Sequence, residues 1–322
     1  MTYRKLAQLA GVSLSTVSKA LSGSSEISGE TAARILRIAE ENGVIRPRYR
    51  HDHPITRIAI TVPEIVSVHY SQIVTLAVDE LRRLGIEASI YICGFDDERH
   101  YRIIDMLCEE KLADGIIAMN VFKHPRRITL PVVCFGAGEN APYCDTITTD
   151  MQSGIFEALE YLISLGHRKI GFISEVNTNA KLNHFKSAAA RLEHPVSPEY
   201  VFVSDKRFEA IGYDAAEYYL KLPDPPTALI AAYDEVALGA IHTFRSRKIR
   251  VPEDISVIGI NDIPSSSYAN IPLTTIRTFS SEIIHLCVKL LMDQIKNPEH
   301  HMVQHISVRC ELIKRSTTAR IK

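Results

Sequence analysis

The sequence predicts two unlike parts: a small all-α headpiece over residues 1–45, and behind it an α/β body built as two doubly wound parallel-sheet subdomains. Three observations carry this. Residues 2–45 hold three short apolar stripes at helical spacing, punctuated by Gly11, Ser13 and Ser28. From residue 57 onward, short continuous apolar runs alternate with amphipathic segments, as in strands buried on both faces by crossover helices. Charge is divided in the same way. Residues 1–50 carry eight Lys or Arg against four Asp or Glu, so a segment at +4 precedes a remainder at −5 within a net charge of −1.

In the headpiece, Leu6, Leu9 and Ala10 are expected to form the apolar face of a first helix that Gly11 stops, since glycine tolerates a left-handed C-cap. Ser13 caps a second helix, with Val17, Ala20 and Leu21 inward and Leu14, Ser15, Thr16, Ser18 and Lys19 outward. Ser28 caps a third, striped by Ala32, Ile35, Leu36 and Ala39. Three such faces close one core and leave the hydroxyl-rich start of the second helix exposed. That surface suits a DNA major groove: hydroxyls and a helix N-terminus reach phosphates, and Lys19 reaches a guanine edge. The excess of cations sits where phosphates would lie. The competing reading is a helical bundle with a solvated polar face.

Residues 46–57 are a linker with two prolines and four arginines, among them Arg48 and Arg50. Beyond it, RIAITV, EASIYIC, GIIAM, PVVCFG, ITTD, KIGFIS, YVFVS, ALIAA and DISVIGI read as strands, and helices are expected at Tyr70 to Gly85, within 97–112, Ser153 to Leu165, near 181–192, Gly212 to Leu220 and Glu235 to Arg247. These are too many strands for one small sheet. Two doubly wound halves would leave one ligand cleft at the C-terminal ends of their strands. Asp150 and Asn261 close strands there, while Tyr70 and Ser71 open a helix whose free N–H groups face the same cleft.

Composition excludes other classes. No run approaches eighteen apolar residues and the N-terminus carries no export signal, so a cytoplasmic protein with no membrane role is expected. Six scattered cysteines without C-x-x-C spacing read as reduced thiols. No G-x-G-x-x-G, phosphate loop, G-x-S-x-G or H-E-x-x-H occurs; an enzyme, a cofactor and a metal site are not expected. His51 with His53, and His300 and His301 with His305, have spacings that could hold a metal but are read as solvated histidines.

The stretch AGVSLSTVSKALSGSSEISGETAARILRIAEENGVIRP resembles the N-terminal headpiece of the LacI/GalR family of transcriptional regulators. The resemblance continues through LISLGHRKIGFIS, PTALIAAYDEVALGAIHTFRSRKIRVPEDISVIGIND and PLTTI, so it covers almost the whole chain. It implies a periplasmic-binding-protein-like body, with residues 58–148 plus 277–304 in one subdomain and 149–276 plus 305–322 in the other. It also implies a regulator, of repressor type, that pairs as a homodimer on a palindromic double-stranded DNA operator and answers to a sugar or sugar derivative. On that pattern Leu14, Ser15 and Lys19 read bases, while Thr2, Ser13 and Thr16 position the backbone. The family's A-R-x-L hinge is absent, and Arg48, Tyr49 and Arg50 stand in its place as minor-groove candidates. Lys181 replaces an effector-clamping arginine, Arg207 or Phe208 stands near a stacking aromatic, Tyr233 precedes Asp234, and Asn261 replaces an aspartate. One anion fewer beside two cations points to an acidic effector such as a sugar phosphate. The alternatives are a transport-type binding protein, an enzyme on the same sheets, and a regulator whose effector has been replaced by a partner protein.

Overall fold

The computed structural model describes residues 3–22, 27–41, 55–119, 128–136, 144–299 and 301–321. Thr2, Arg48 and Arg50, nearly all of the linker, and His51, His53 and His300 lie outside the described residues, as do the side chains of Leu21 and Leu36.

The headpiece consists of α1 (Tyr3–Ala10), α2 (Leu14–Ser22) and α3 (Gly29–Glu41). Gly11 adopts φ +60°, and the amides of Gly11 and Val12 donate to the carbonyls of Gln8 and Ala7, which ends α1 in a Schellman motif. Ser13 Oγ accepts from the Thr16 amide at 3.0 Å and Ser28 Oγ from the Thr31 amide at 3.2 Å, so α2 and α3 start on the same S-x-x-T device. The core is Leu6, Ala7, Ala10, Val17, Ala20, Ile35 and Ala39. Leu9, expected inside, is 52% exposed. The buried stripe of α1 runs through Leu6, Ala7 and Ala10, because two alanines let the helices approach more closely than a leucine would.

The body opens with β1 (Arg57–Val62), α4 (Val68–Arg83), β2 (Glu87–Ile92), α5 (Asp97–Glu109), β3 (Gly115–Met119), β4 (Val132–Phe135) and β5 (Asp145–Asp150). The second half holds α6 (Met151–Ser164), β6 (Ile170–Glu175), α7 (Asn179–Arg191), β7 (Val201–Ser204), α8 (Glu209–Tyr219), β8 (Ala228–Ala231), α9 (Asp234–Ser246), β9 (Ser256–Asn261), α10 (Pro264–Tyr268) and β10 (Thr274–Arg277). The chain then supplies α11 (Ser280–Lys296) and β11 (His305–Arg309) to the first half and β12 (Glu311–Ile313) to the second. The sheets run β11-β5-β4-β3-β1-β2 and β12-β10-β9-β8-β6-β7, all parallel except the antiparallel β10–β12 pair. Val133, Ile117 and Ile58 of the first sheet and Phe172, Ile230 and Ile258 of the second are buried strand residues, as the continuous apolar runs require.

The crossings refine the expected boundaries. Asp150 is the last residue of β5, still on the first sheet, and the return follows Arg277. The third crossing falls at Cys310 and not near residue 305. Residues His305 to Arg309 pair in register with Thr146 to Asp150, extending the first sheet before the chain leaves it. His301 is not solvated: its side chain is 1% exposed, with Nε2 2.7 Å from Asp145 Oδ2 and Nδ1 3.2 Å from Asp293 Oδ2. His305 Nδ1 lies 2.6 Å from Thr146 Oγ1. His301 is thus buried between α11 and Asp145 of the sheet, whereas His305 stays exposed at the sheet edge, as expected of a solvated histidine. All six cysteines are free thiols, and among the described residues no helix is long and apolar enough to cross a membrane.

One packing feature positions the cleft. Where α8 meets α9, a Cβ on Gly212 would stand 2.2 Å from the Val236 carbonyl oxygen, and one on Gly239 would stand 2.4 Å from that of Glu209. The two backbones therefore touch, and the residues that begin each helix, Phe208 and Tyr233, are brought side by side.

Candidate functional site

Two sites follow from this architecture. On the headpiece, Leu14 is 47% exposed, Ser15 and Ser18 are exposed, and Thr16 and Lys19 are half-buried. Ser13 and Thr16 hydroxyls lie 2.7 Å apart at the start of α2, so Ser13 has a capping duty besides any contact it makes outward. The buried Val17 and Ala20 hold this face away from the core.

The second site lies where the strands of the two sheets end. Its centre is Arg207, just before α8. The guanidinium donates through Nη1 to Glu64 Oε2 at 2.6 Å and through Nε to Glu175 Oε2 at 3.0 Å. Glu64 follows β1 in the first subdomain and Glu175 ends β6 in the second, so one side chain ties the halves together. The charge also lies between two rings, with Cζ 4.9 Å from the Phe95 centroid and 4.7 Å from that of Phe208. Burial opposes the arginine's charge, but Glu64 and Glu175 more than offset it and raise its pKa. The Tyr233 hydroxyl donates to Glu175 Oε2 at 3.2 Å and accepts the Phe208 amide at 3.0 Å, which holds Phe208 at φ +59°, a strained value for a residue with a Cβ. A second bond crosses the seam: the Val68 amide at the start of α4 donates to Glu235 Oε1 at 3.3 Å.

The remaining candidates are distributed around this centre. Lys181 on α7 donates to the Ala232 carbonyl at 2.7 Å, and burial lowers its pKa to about 8 although Asp234 and Glu235 act the other way. His69 is pushed down to about 3, by burial first and then by Lys181, and is neutral. The Tyr70 ring meets Phe95 edge-on with centroids 6.4 Å apart, and burial followed by Glu64 raises its hydroxyl to about 12. Ser71 does not offer a free helix terminus. Its amide is taken by the Ser67 carbonyl at 3.0 Å, and its hydroxyl donates to the Val68 carbonyl at 3.1 Å, because α4 begins two residues earlier than expected. Asp150 Oδ1 caps α6 by accepting the Ser153 amide at 3.0 Å; the Ser153 side chain first, then this amide, with Arg309 and His184 nearby, hold the carboxyl below its usual range against its partial burial. Asn261 ends β9 half-buried at φ +109°. Beside it Asp262, lowered despite burial by Arg277 and Arg315, is held by Arg277 Nε at 2.8 Å and Arg315 Nη2 at 2.6 Å. Asp234 is wholly buried under β9, accepting from the Ile263 amide at 2.8 Å and the Thr275 hydroxyl at 2.5 Å, and burial pushes its carboxyl up to about 8.

Sequence reasoning missed Glu64, Glu175, Glu235 and Phe95. The available signal was weak: Glu175 is a lone charge closing the apolar run IGFIS, and Glu64 follows the run RIAITVP. Their presence changes the electrostatics. Among the described residues, Arg207 is paired with two carboxylates, Glu64 and Glu175, and Glu235 lies across the seam, so three carboxylates stand against Arg207 and Lys181, and Arg207 does not offer the unpaired positive charge on which an acidic effector was expected.

A helical headpiece with an exposed capped helix, joined to a two-lobed α/β body whose lobes meet over a polar seam, defines a DNA-binding regulator of the periplasmic-binding-protein-like class. A family model of bacterial regulatory proteins, lacI family, matches residues 2–45, and a model of the periplasmic binding protein-like domain matches residues 159–318. The chain is 30% identical over 337 residues to the HTH-type transcriptional repressor CytR of Escherichia coli, covering 98% of this chain and 96% of that one. It is 28% identical to a probable HTH-type transcriptional repressor, ExuR, of Bacillus subtilis, covering 93% of each. In fold it is similar to the lac repressor dimer bound to operator and the anti-inducer ONPF (TM-score 0.74, 21% identity, 99% of each chain). It is likewise similar to a complex of the transcriptional regulator CelR with cellobiose (TM-score 0.70, 24% identity, 98% and 99%). The chain belongs to the LacI family of transcriptional regulators.

Proposed function

We propose that this regulator is a cytoplasmic repressor, acting as a homodimer on a palindromic operator, and that a sugar or sugar derivative seated between its subdomains sets its operator affinity. It catalyses no reaction in this reading. One observation carries it: the halves of the body are joined by side chains at a polar seam, Arg207 to Glu64 and Val68 to Glu235, so a molecule entering there must change how the halves meet. A ligand can shift that equilibrium only by its preference for one arrangement. Pairing is required because one recognition helix spans too few base pairs for useful specificity. The relatives named as repressors, and solved neighbours holding operator, cellobiose or ribose, support the reading.

In this assignment Leu14, Ser15 and Lys19 read bases, Thr2, Ser13, Thr16 and Ser18 contact the backbone, and Arg48 and Arg50 reach the minor groove. Tyr70, Ser71, Asp150, Lys181, Arg207, Tyr233 and Asn261 surround the effector, with Glu64, Glu175, Glu235 and Phe95 added by the geometry. The surplus of carboxylates favours an uncharged sugar over a sugar phosphate. The test is selection of duplexes by the purified full-length chain, followed by anisotropy titration of the selected operator at moderate salt with and without a sugar panel. A selected operator whose affinity changes at least tenfold with one sugar is the expected result. No preference over random competitor under any condition would overturn the reading. The reading in which a partner protein has replaced the effector draws on Arg207, Phe95 and Phe208 filling the seam themselves. Operator affinity that ignores every small molecule but responds to a second regulator would decide for it.

A further inference from the structure

Among the described residues, the seam contains two carboxylate oxygens with no donor. Glu235 is 5% exposed; its Oε1 takes the Val68 amide across the cleft, and its Oε2 is buried without a hydrogen-bond partner. Glu64 gives Oε2 to Arg207, and its Oε1 is buried and likewise without a partner. One oxygen comes from each subdomain. Both glutamates border the seam: the Val68 amide that Glu235 accepts lies at the start of α4, four residues beyond Glu64. A buried acceptor without a donor is costly, and more so when it is charged.

Among the described residues, the cations nearest the seam are committed elsewhere. Arg207 directs Nη1 and Nε at Glu64 Oε2 and Glu175 Oε2, and Lys181 donates to the Ala232 carbonyl. His69 is uncharged, the Tyr70 hydroxyl keeps its proton, and Asp234 is committed to Ile263 and Thr275. Among the described residues the seam therefore has two carboxylate oxygens to fill; burial pushes the Glu235 carboxyl up, with the Val68 amide and Lys181 acting the other way, so a cation placed against it would help hold it ionised. A hydroxyl brings one donor and no charge, whereas an ammonium brings three donors and one positive charge. We infer that the effector is a small polyhydroxylated molecule bearing a protonated amine, an amino sugar by chemical class, whose ammonium lodges between Glu64 Oε1 and Glu235 Oε2. This deepens the effector reading above and rests on it. Because the two carboxylates belong to different subdomains, the ammonium draws the lobes together, which the hydroxyl at the same carbon cannot do as well.

Matched pairs test the inference: glucosamine against glucose, galactosamine against galactose and mannosamine against mannose, titrated calorimetrically into the full-length chain at pH 7. At least one amine should bind more than about tenfold tighter than its hydroxyl twin, the discrimination expected of a hydrogen bond to a charged group. Glu235→Gln keeps an acceptor for Val68 and Glu64→Gln keeps one for Arg207, yet each should reduce that preference to about twofold or less while the melting curve shows an intact body. Should Glu235→Gln fail to fold, Glu64→Gln alone carries the test. Neutral sugars binding as tightly as their amines, or glucose 6-phosphate binding tightest, would overturn the amine inference and leave a sugar-responsive regulator in place. Silence from these pairs and from a library of amino and neutral polyols, with operator affinity unmoved, would overturn both.

Discussion

The headpiece and the cleft are held by interactions of opposite range. In the headpiece the organising bonds join Ser13 to Thr16 and Ser28 to Thr31, three residues apart, around a core of seven buried hydrophobic residues among those described. In the cleft, Arg207 reaches a glutamate 143 residues away and Val68 one 167 residues away, with a large core under each lobe. The difference concerns reserve. A module of about 45 residues buries little surface and is marginal alone, so each large core side chain decides whether it folds. The cleft sits on lobes with stability to spare, and changes there should alter how the lobes meet before they alter whether the lobes fold.

The largest effect is therefore expected at Leu6, which is fully buried in the headpiece. Leu6→Ala should cost about 2–5 kcal/mol, enough to unfold a domain of this size. Operator binding should be lost and headpiece amides should lose hydrogen-exchange protection, while the main thermal transition of the body stays in place. A body transition that falls with the headpiece would mean that the two form one cooperative unit, and the comparison would break.

At the seam, Arg207→Ala, Glu64→Gln and the double variant form a cycle. Their coupling energy should be about 0.5–3 kcal/mol in urea unfolding, typical of a half-buried charged pair in contact. Small-angle scattering should show the Arg207→Ala chain more extended at unchanged secondary structure. Additive effects with unchanged scattering would mean that Glu64 and Arg207 do not hold the lobes together.

The same contrast of range explains what the sequence discloses. Capping serines, the stripe of Val17 and Ala20 and the alternation of strands and helices are all written in neighbouring residues, whereas the crossings expected near 149 and 277 come from the family resemblance. Leu9 fails because hydrophobic spacing does not say which of two adjacent apolar residues a helix turns inward. The last strand exchange fails for a different reason. The segment HISVR alternates like an edge strand, but nothing in it tells which sheet edge stands free until β5 is placed beside it. Lys181, Arg207 and Tyr233 are cleft candidates through the family resemblance, which does not give their charge balance. Glu64, Glu175 and Glu235 are ordinary surface residue types until the fold brings them to one seam, and Ser71 and Asp150 turn out to serve their own helix starts.

Lys181 sharpens the comparison through pH. Its folded pKa of about 8 lies below its ordinary 10.5, so between those values the unfolded chain holds a proton that the folded chain has released. Its contribution to stability thus rises as pH increases from about 8 toward 10.5, with a slope of at most about 1.4 kcal/mol per pH unit. Unfolding free energies of the parent and of Lys181→Met, measured across that interval, should converge or cross as pH rises, because only the parent gains. Parallel curves would place the lysine's ammonium in water.

The smallest and most discriminating prediction uses the two identical caps. Ser13→Ala and Ser28→Ala each remove one acceptor from a helix start, and each should cost the headpiece about 1 kcal/mol. On stability alone they are twins. On operator binding they should separate, because Ser13 opens the helix whose exposed face carries Leu14, Ser15 and Ser18, whereas Ser28 opens α3, whose buried Ile35 and Ala39 serve the core. Headpiece hydrogen exchange should rank the two variants equal, and anisotropy should show a loss for Ser13→Ala of about tenfold beyond that for Ser28→Ala. Equal losses of affinity would mean that Ser13 acts only as a cap, and the contact surface of the headpiece would then begin at Leu14.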